Sequence, residues 1–329
     1  MAHAAYVVGS GPSALSPGDG ACERGGVGIP VIECAGVTKR FGATEALRGV
    51  DLVVEAGEVF GYLGPNGAGK TTTLRILMGL TRASGGRAGL FGLDAWAHRD
   101  GLHRRVGYVP GDVALYPRLT GQDHIDYVGH LHGLGRPPEA AVLAERLDLD
   151  LGRPARQLSR GNRQKLALVL AVMIRPELLV LDEPSSGLDP LVQREFHAIL
   201  DEHGSRGGTV LLSSHVLSEV QRVATRIGVL SAGRVVAVEQ LGALRAKSLH
   251  HVEAQFEGRV DVAPFAAVPG VRDVRLEDGV LRCDAPQASL DPLLKAVAHH
   301  PLVDLTCTEA ELEETFLAYY SGTGGTDAA

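Results

Sequence analysis

The chain has 329 residues, room for one large domain and a smaller one. Its 32 lysines and arginines fall short of its 39 acidic residues, and the formal net charge of −7 argues against a general attraction to nucleic acid. The cysteines (Cys22, Cys34, Cys283 and Cys307) are scattered without a C-x-x-C pair and read as reduced thiols, and the longest apolar run, residues 166–174, is far short of the ~20 residues that a membrane-spanning helix needs.

Residues 1–29 are rich in Gly, Ala, Ser and Pro, lack periodicity and read as a disordered tail without a secretion signal. From 30 to 247, short apolar runs alternate with helical spacing, as in a sheet covered by helices on both faces. The strand-like run Val59–Leu63 leads into Gly64, Pro65, Asn66, Gly67, Ala68, Gly69, Lys70, Thr71 and Thr72, and a helix follows over 71–80. This is G-x-x-x-x-G-K-[ST] in the strand–loop–helix context that its chemistry requires. Glycines let successive N–H groups turn inward toward anionic oxygens, and the helix N-terminus adds partial positive charge. Lys70 is placed to reach the β- and γ-phosphates, and the Thr71 hydroxyl to meet Mg²⁺.

Strand signals vanish over about 112–175, which predicts a helical insert that ends in a helix over 163–174. Residues 178–181 then form an apolar strand that delivers Asp182 and Glu183 at its end, a carboxylate for Mg²⁺ and a second one to polarise a water. A strand over 210–212 precedes Ser213, Ser214 and His215. Ser231, Ala232 and Gly233 read as a hairpin turn. The style changes at 248: residues 248–321 read as a small α+β domain, with a hairpin at Asp278-Gly279 and Asp291-Pro292 opening a helix. A strand follows over 302–307, then a capping box at Thr308 and Glu311, and residues 322–329 form a second tail. Arg153, Arg156, Arg160, Arg163 and Lys165 cluster, and read as support for a phosphate site or a solvated face rather than as a nucleic-acid patch.

These segments, in this order over 30–247, resemble ATPase subunits of ABC transporters. Leu158, Ser159, Arg160, Gly161 and Asn162 resemble the signature that is normally Leu-Ser-Gly-Gly-Gln, with Ser159 lying 23 residues ahead of Asp182. The resemblance implies that Ser159 and Gly161 bind the γ-phosphate held by an opposed subunit, and that Asp189, in Ser186-Gly187-Leu188-Asp189, belongs to the D-loop at the dimer interface. It also implies that Phe41 stacks on adenine and that His215 bridges Glu183, water and γ-phosphate. One position departs from the family: Gly111 stands where a glutamine normally contacts Mg²⁺ and the reacting water, and Asp112 or an extra water is expected to substitute.

The expected fold is an α/β P-loop ABC ATPase core with a helical subdomain and a small C-terminal α+β domain. The expected ligands are ATP and Mg²⁺, with Mg²⁺ held by Thr71 and Asp182, and catalysis by Lys70, Glu183 and His215. Two copies, or one copy and a second ATPase subunit, would enclose the nucleotides and drive an integral membrane permease from the inner face of the membrane. The residues 308–317 resemble the ending of exporter subunits of the daunorubicin-resistance type, which implies a drug, antibiotic or lipid-like cargo. The competing readings are a soluble ABC ATPase that remodels a cytosolic assembly and a nucleotide-gated regulatory subunit with weak hydrolysis.

Overall fold

The computed structural model describes residues 28–243 and 249–309, so most of the N-terminal tail, the capping box at Glu311 and the C-terminal tail lie outside the described residues. The chain divides between Val238 and Glu239 into two compact units.

The first unit opens with strands that the alternating pattern did not foresee. β1 (Ile32–Phe41) and β2 (Thr44–Val54) pair antiparallel, and after β3 (Val59–Leu63) and helix α1 (Lys70–Leu77), β4 (Gly85–Leu90) and β5 (Leu93–Asp94) extend their sheet in the order β2-β1-β4-β5. Their burial alternates, because only one face meets the core. α1 stops three residues earlier than expected: Gly79 takes φ 61, the left-handed conformation that ends helices, and a Cβ there would lie 2.8 Å from the Ala95 carbonyl oxygen.

The second sheet has the order β10-β9-β3-β8-β7-β6. It is built after the short α2 (Arg99–Leu102) from β6 (Val106–Val109), β7 (Leu178–Asp182), β8 (Thr209–Ser214), β9 (Arg226–Ser231) and β10 (Arg234–Gln240). β9, β3, β8, β7 and β6 run parallel. Every residue of β3, β7 and β8 is buried, as a sheet covered on both faces requires. On one face, Leu74 and Leu77 of α1 pack between this sheet (Phe60, Val180, Leu211) and the antiparallel one (Ile32, Val50) in a single core. On the other face lie α6 (Pro190–Ser205) and α7 (Leu217–Val223). Between β6 and β7 come α3 (Gly121–Leu131), α4 (Pro138–Arg146), a 3₁₀ turn at Ala155–Gln157 and α5 (Arg160–Val172). α5 begins three residues earlier than the apolar pattern indicated, because the Ser159 Oγ accepts the Asn162 N–H at 3.2 Å and caps it there.

α7 lies so close to β3 that a Cβ on Gly61 would be 2.0 Å from Val220 Cγ1. Gly61→Val is therefore expected to overpack this contact and lower unfolding stability by about 1–3 kcal/mol, read from the urea midpoint at unchanged m-value.

The second unit is an antiparallel sheet, β12-β13-β11-β14, from β11 (Leu249–Phe256), β12 (Arg272–Glu277), β13 (Val280–Pro286) and β14 (Leu302–Glu309). Asp278 and Gly279 both take positive φ and close β12 onto β13 as a two-residue hairpin. The helix expected to open at Asp291-Pro292 instead spans Gln287–Ala298, with Pro292 inside it. Burial of Ser289, whose hydroxyl donates to the Pro269 carbonyl at 2.6 Å, begins the helix a turn earlier, and tertiary contact outweighs the hydrogen bond that proline cannot make. Cys34 and Cys283 are buried, with their thiols pushed up to about 12 and about 11, chiefly by burial; Cys307 is exposed.

Candidate nucleotide site

Because β3, β7 and β8 are parallel neighbours, their C-terminal ends share one edge of the sheet. Leu63 stands opposite Ser214, and Asp182 opposite Ser213. The phosphate loop, the two acids and the histidine therefore converge, although up to about 150 residues separate them in sequence.

The loop's backbone depends on glycine at Gly64, at Gly67, which has φ 83, and at Gly69. A Cβ on Gly64 would lie 2.5 Å from the Leu230 carbonyl oxygen, and Gly69 has φ 114 with Leu47 and Ala46 pressed against it. Gly69 is the N-cap of α1, with no side-chain cap and no acid in the first turn, so the helix N-terminus stays open to an anion. Lys70 is 6% exposed; its Nζ donates to the carbonyls of Gly64 at 2.6 Å and Pro65 at 3.3 Å and lies 3.2 Å from Glu183 Oε1.

Asp182 is 1% exposed, and its Oδ1 accepts the Ser213 hydroxyl at 2.7 Å. Glu183 takes φ 49, an uncommon conformation for a residue with a side chain, held by its N–H donating to the Ser213 carbonyl at 3.1 Å. Its Oε2 accepts from His215 Nδ1 at 2.7 Å, the direction required because a carboxylate only accepts. Among the described residues its Oε1 is buried without a hydrogen bond and faces the Lys70 ammonium.

Gly111 follows the end of β6, next to β7. A Cβ there would lie 3.4 Å from both the Asp182 Oδ2 and its backbone oxygen, at ordinary contact distance. The position is thus beside the carboxylate, with room for a side chain, whereas Asp112 is exposed and lines the neighbouring groove. Tyr108 on β6 has its hydroxyl pushed up to about 12, first by burial and then by the charge of Asp182.

The structure brings Gly64–Thr72, Asp182, Glu183 and His215 together. Ser159 instead caps α5, and its neighbours lie against residues 186–189: Gly161 packs so closely that a Cβ would meet the Gly187 oxygen at 2.7 Å, and the Arg160 guanidinium donates to the Ser186 Oγ at 3.1 Å. Asp189 caps α6 by accepting the N–H groups of Val192 and Leu191, and these bonds hold its carboxyl below the usual range, that to Val192 contributing most. Phe41 is 52% exposed at the end of β1, with the Lys39 ammonium 4.8 Å from its ring. The basic cluster disperses, with Arg153 on Asp150 and the buried Lys165 near the Asp148 carbonyl. The roles of Ser213, Ser185 and Glu219 were not apparent from the sequence; a run of buried serines at a strand end is the signal that points to the first.

Residues 47–186 match the family described as ABC transporter. The daunorubicin/doxorubicin resistance ATP-binding protein DrrA of Streptomyces peucetius is 33% identical over 301 residues, covering 87% of this chain and 91% of that protein. The chain belongs to the ATP-binding subunits of ABC transporters. The bacitracin transport ATP-binding protein BcrA of Enterococcus faecalis is 29% identical over 300 residues, 89% of this chain and 97% of its own length. Among solved structures, an ATP-binding subunit of an ABC transporter superposes with a TM-score of 0.61 at 30% identity, covering 65% of this chain and 92% of its own. A dimeric bacterial ABC transporter cassette does so at 0.60 and 25%, covering 64% and 98%. As a member of this family, the ABC subunit binds ATP and hydrolyses it.

Proposed function

We propose that two protomers, each presenting its phosphate loop to the other's signature helix, close on ATP and drive an export permease. The observation that carries the catalytic part is the Lys70–Glu183–His215 cluster beside Asp182. Lys70 neutralises charge that develops on the β- and γ-phosphates. Glu183 orients the attacking water and takes its proton, with His215 fixing the carboxylate and sensing the γ-phosphate. Ser159 and Gly161, at an α5 N-terminus without an acid in its first turn, offer the opposed γ-phosphate a hydroxyl and free N–H groups. Phe41 offers an exposed ring to adenine, and Asp189 positions the D-loop at the dimer contact. The donors near the site, the Thr71 hydroxyl and the Asp182 carboxylate, are hard oxygen ligands that fit Mg²⁺, which would supply charge neutralisation there.

The space beside Asp182 favours a water over Asp112 as the substitute for the missing glutamine. Asp112→Ala is expected to keep ATP turnover within about twofold, and Gly111→Gln to fold normally and hold or raise it; phosphate release by the purified variants checks both. Turnover too slow to measure in the wild-type chain would instead favour the regulatory reading that Gly111 raises.

Export is supported by the relatives, whose names record daunorubicin/doxorubicin resistance and bacitracin transport. Among the described residues no helix is long and apolar enough to cross a membrane; in this proposal the membrane component is a separate permease, through which the subunit sits peripherally on the inner face. A cavity of about 180 Å³ lined by Met78, Leu80, Val113, Leu115, Val128 and Leu131, between the ATPase core and the helical insert, is the proposed seat for it. Co-purification with an integral membrane protein, lost in Leu115→Glu while ATP binding persists, tests this. Co-purification with a soluble assembly alone would favour the remodelling ATPase.

A further inference from the structure

Two loops of the site meet on one carboxylate that touches neither nucleotide nor water in the mechanism above. Glu219 lies on α7, four residues after His215. Its Oε2 accepts the Ser185 hydroxyl at 2.7 Å and the Ser214 hydroxyl at 2.9 Å. Ser185, 5% exposed, lies two residues after Glu183 at the root of the D-loop; Ser214, fully buried, immediately precedes His215. A hydroxyl has one proton, and both protons are committed to this oxygen, while Ser214 Oγ in turn accepts the Val216 N–H at 3.0 Å. The backbone on either side of His215 is therefore fixed through Ser214, although the His215 side chain itself is 48% exposed and meets Glu183 through one hydrogen bond. From Ser185 the same restraint runs on: the Leu188 N–H donates to the Ser185 carbonyl at 3.0 Å, and the Ser186 N–H to the Glu183 carbonyl at 3.2 Å.

We propose that Glu219 is a positioning residue that ties the D-loop to the histidine-bearing end of β8, so that His215 and Glu183 are held in register for turnover. The proposal rests on the catalytic reading of Glu183 and His215. It predicts an effect on kcat with little effect on ATP affinity, because the phosphate loop makes no use of this carboxylate. It also predicts that Glu219 acts through His215, so that the two are energetically coupled.

The test uses the full-length chain, measuring ATP turnover and the affinity for Mg·ATP. Glu219→Ala is expected to lower kcat about tenfold with affinity within about twofold, and Glu219→Gln, whose amide oxygen still accepts both hydroxyls, to restore kcat to within about threefold of wild type. In a His215→Ala background, adding Glu219→Ala is expected to cost less than about twofold more. Wild-type kcat in Glu219→Ala, an equal loss in the Gln variant, a parallel loss of affinity, or multiplicative loss in the double variant overturns the proposal. If thermal unfolding shows that Glu219→Ala does not fold, Ser214→Ala and Ser185→Ala decide in its place: each lowering kcat severalfold at unchanged affinity supports the link, and wild-type kcat in both removes it. Wild-type turnover in His215→Ala itself would remove the catalytic reading and the proposal together, whereas impaired His215→Ala beside an unimpaired Glu219→Ala removes this proposal alone.

Discussion

Glu183→Gln is expected to lower ATP turnover at least about 100-fold while the chain still binds Mg·ATP. Removing a positioned general base typically costs about 10²–10⁴-fold, or roughly 2.7–5.4 kcal/mol of transition-state stabilisation. The substitution is nearly isosteric, so the φ 49 backbone held by Ser213 and the contact with His215 can persist, and what is lost is the negative charge. In the proposed mechanism that charge accepts the proton of the attacking water, and in the structure it faces the Lys70 ammonium at 3.2 Å. With the second task removed, Lys70 is left to the Gly64 and Pro65 carbonyls and to phosphate, so affinity should hold or rise. Phosphate release measured beside equilibrium nucleotide binding separates the two; near-normal turnover would sink the assignment of Glu183 as the base.

Lys70→Ala is expected to remove most of the affinity for Mg·ATP, by about 30-fold or more, and turnover with it. The side chain is buried, and its ammonium is the cation that the loop places among its own carbonyls. Charge-assisted hydrogen bonds are roughly twice as strong as neutral ones, and about 2 kcal/mol lost from binding is a factor of about 30. A stability cost of about 1–3 kcal/mol should accompany it, because the Gly64 carbonyl loses its donor and Glu183 Oε1 loses the Lys70 ammonium. Calorimetric titration with Mg·ATP, with thermal unfolding as the control, checks both. Unchanged Mg·ATP affinity in a folded variant would mean that the phosphates are held elsewhere.

The two variants separate binding from chemistry, and Glu219 adds a third behaviour, slow turnover without the loss of either the base or the binding cation. Together they distinguish a site that is present from one that is held in working register, which is the distinction that supporting hydrogen bonds control.

Much of the site was legible in the residues because its chemistry is local. The phosphate loop needs a strand, glycines at tight places and a helix N-terminus within about a dozen residues, and Val59–Leu63, Gly64, Gly69 and α1 supply them contiguously. A run of buried apolar residues ending in acids likewise announces β7 and Asp182, since a strand covered on both faces has no polar alternation to blur it. Asp278-Gly279 was readable for a similar reason: the turn demands positive φ at two successive residues, and few side chains tolerate that. Where local signals compete with packing, packing prevails. Pro292 looked like a helix start, yet Ser289 and its bond to Pro269 carry the helix a turn further back.

The residues by themselves thus determined that a G-x-x-x-x-G-K-[ST] loop, two acids after an apolar strand and a histidine after another are present, and in what order, because each is encoded within a few neighbours. Only the tertiary structure decided the sheet order that sets β3, β8 and β7 side by side, and with it the contacts Ser213–Asp182, Lys70–Glu183 and Ser185–Glu219–Ser214. Apart from Ser214–Glu219, five residues apart, those contacts join segments about 30 to 110 residues apart, at distances that depend on strand pairing and on how closely α7 rests on Gly61. No short window of sequence carries that information, since it is the burial of whole strands and helices, summed over the unit, that selects the pairing.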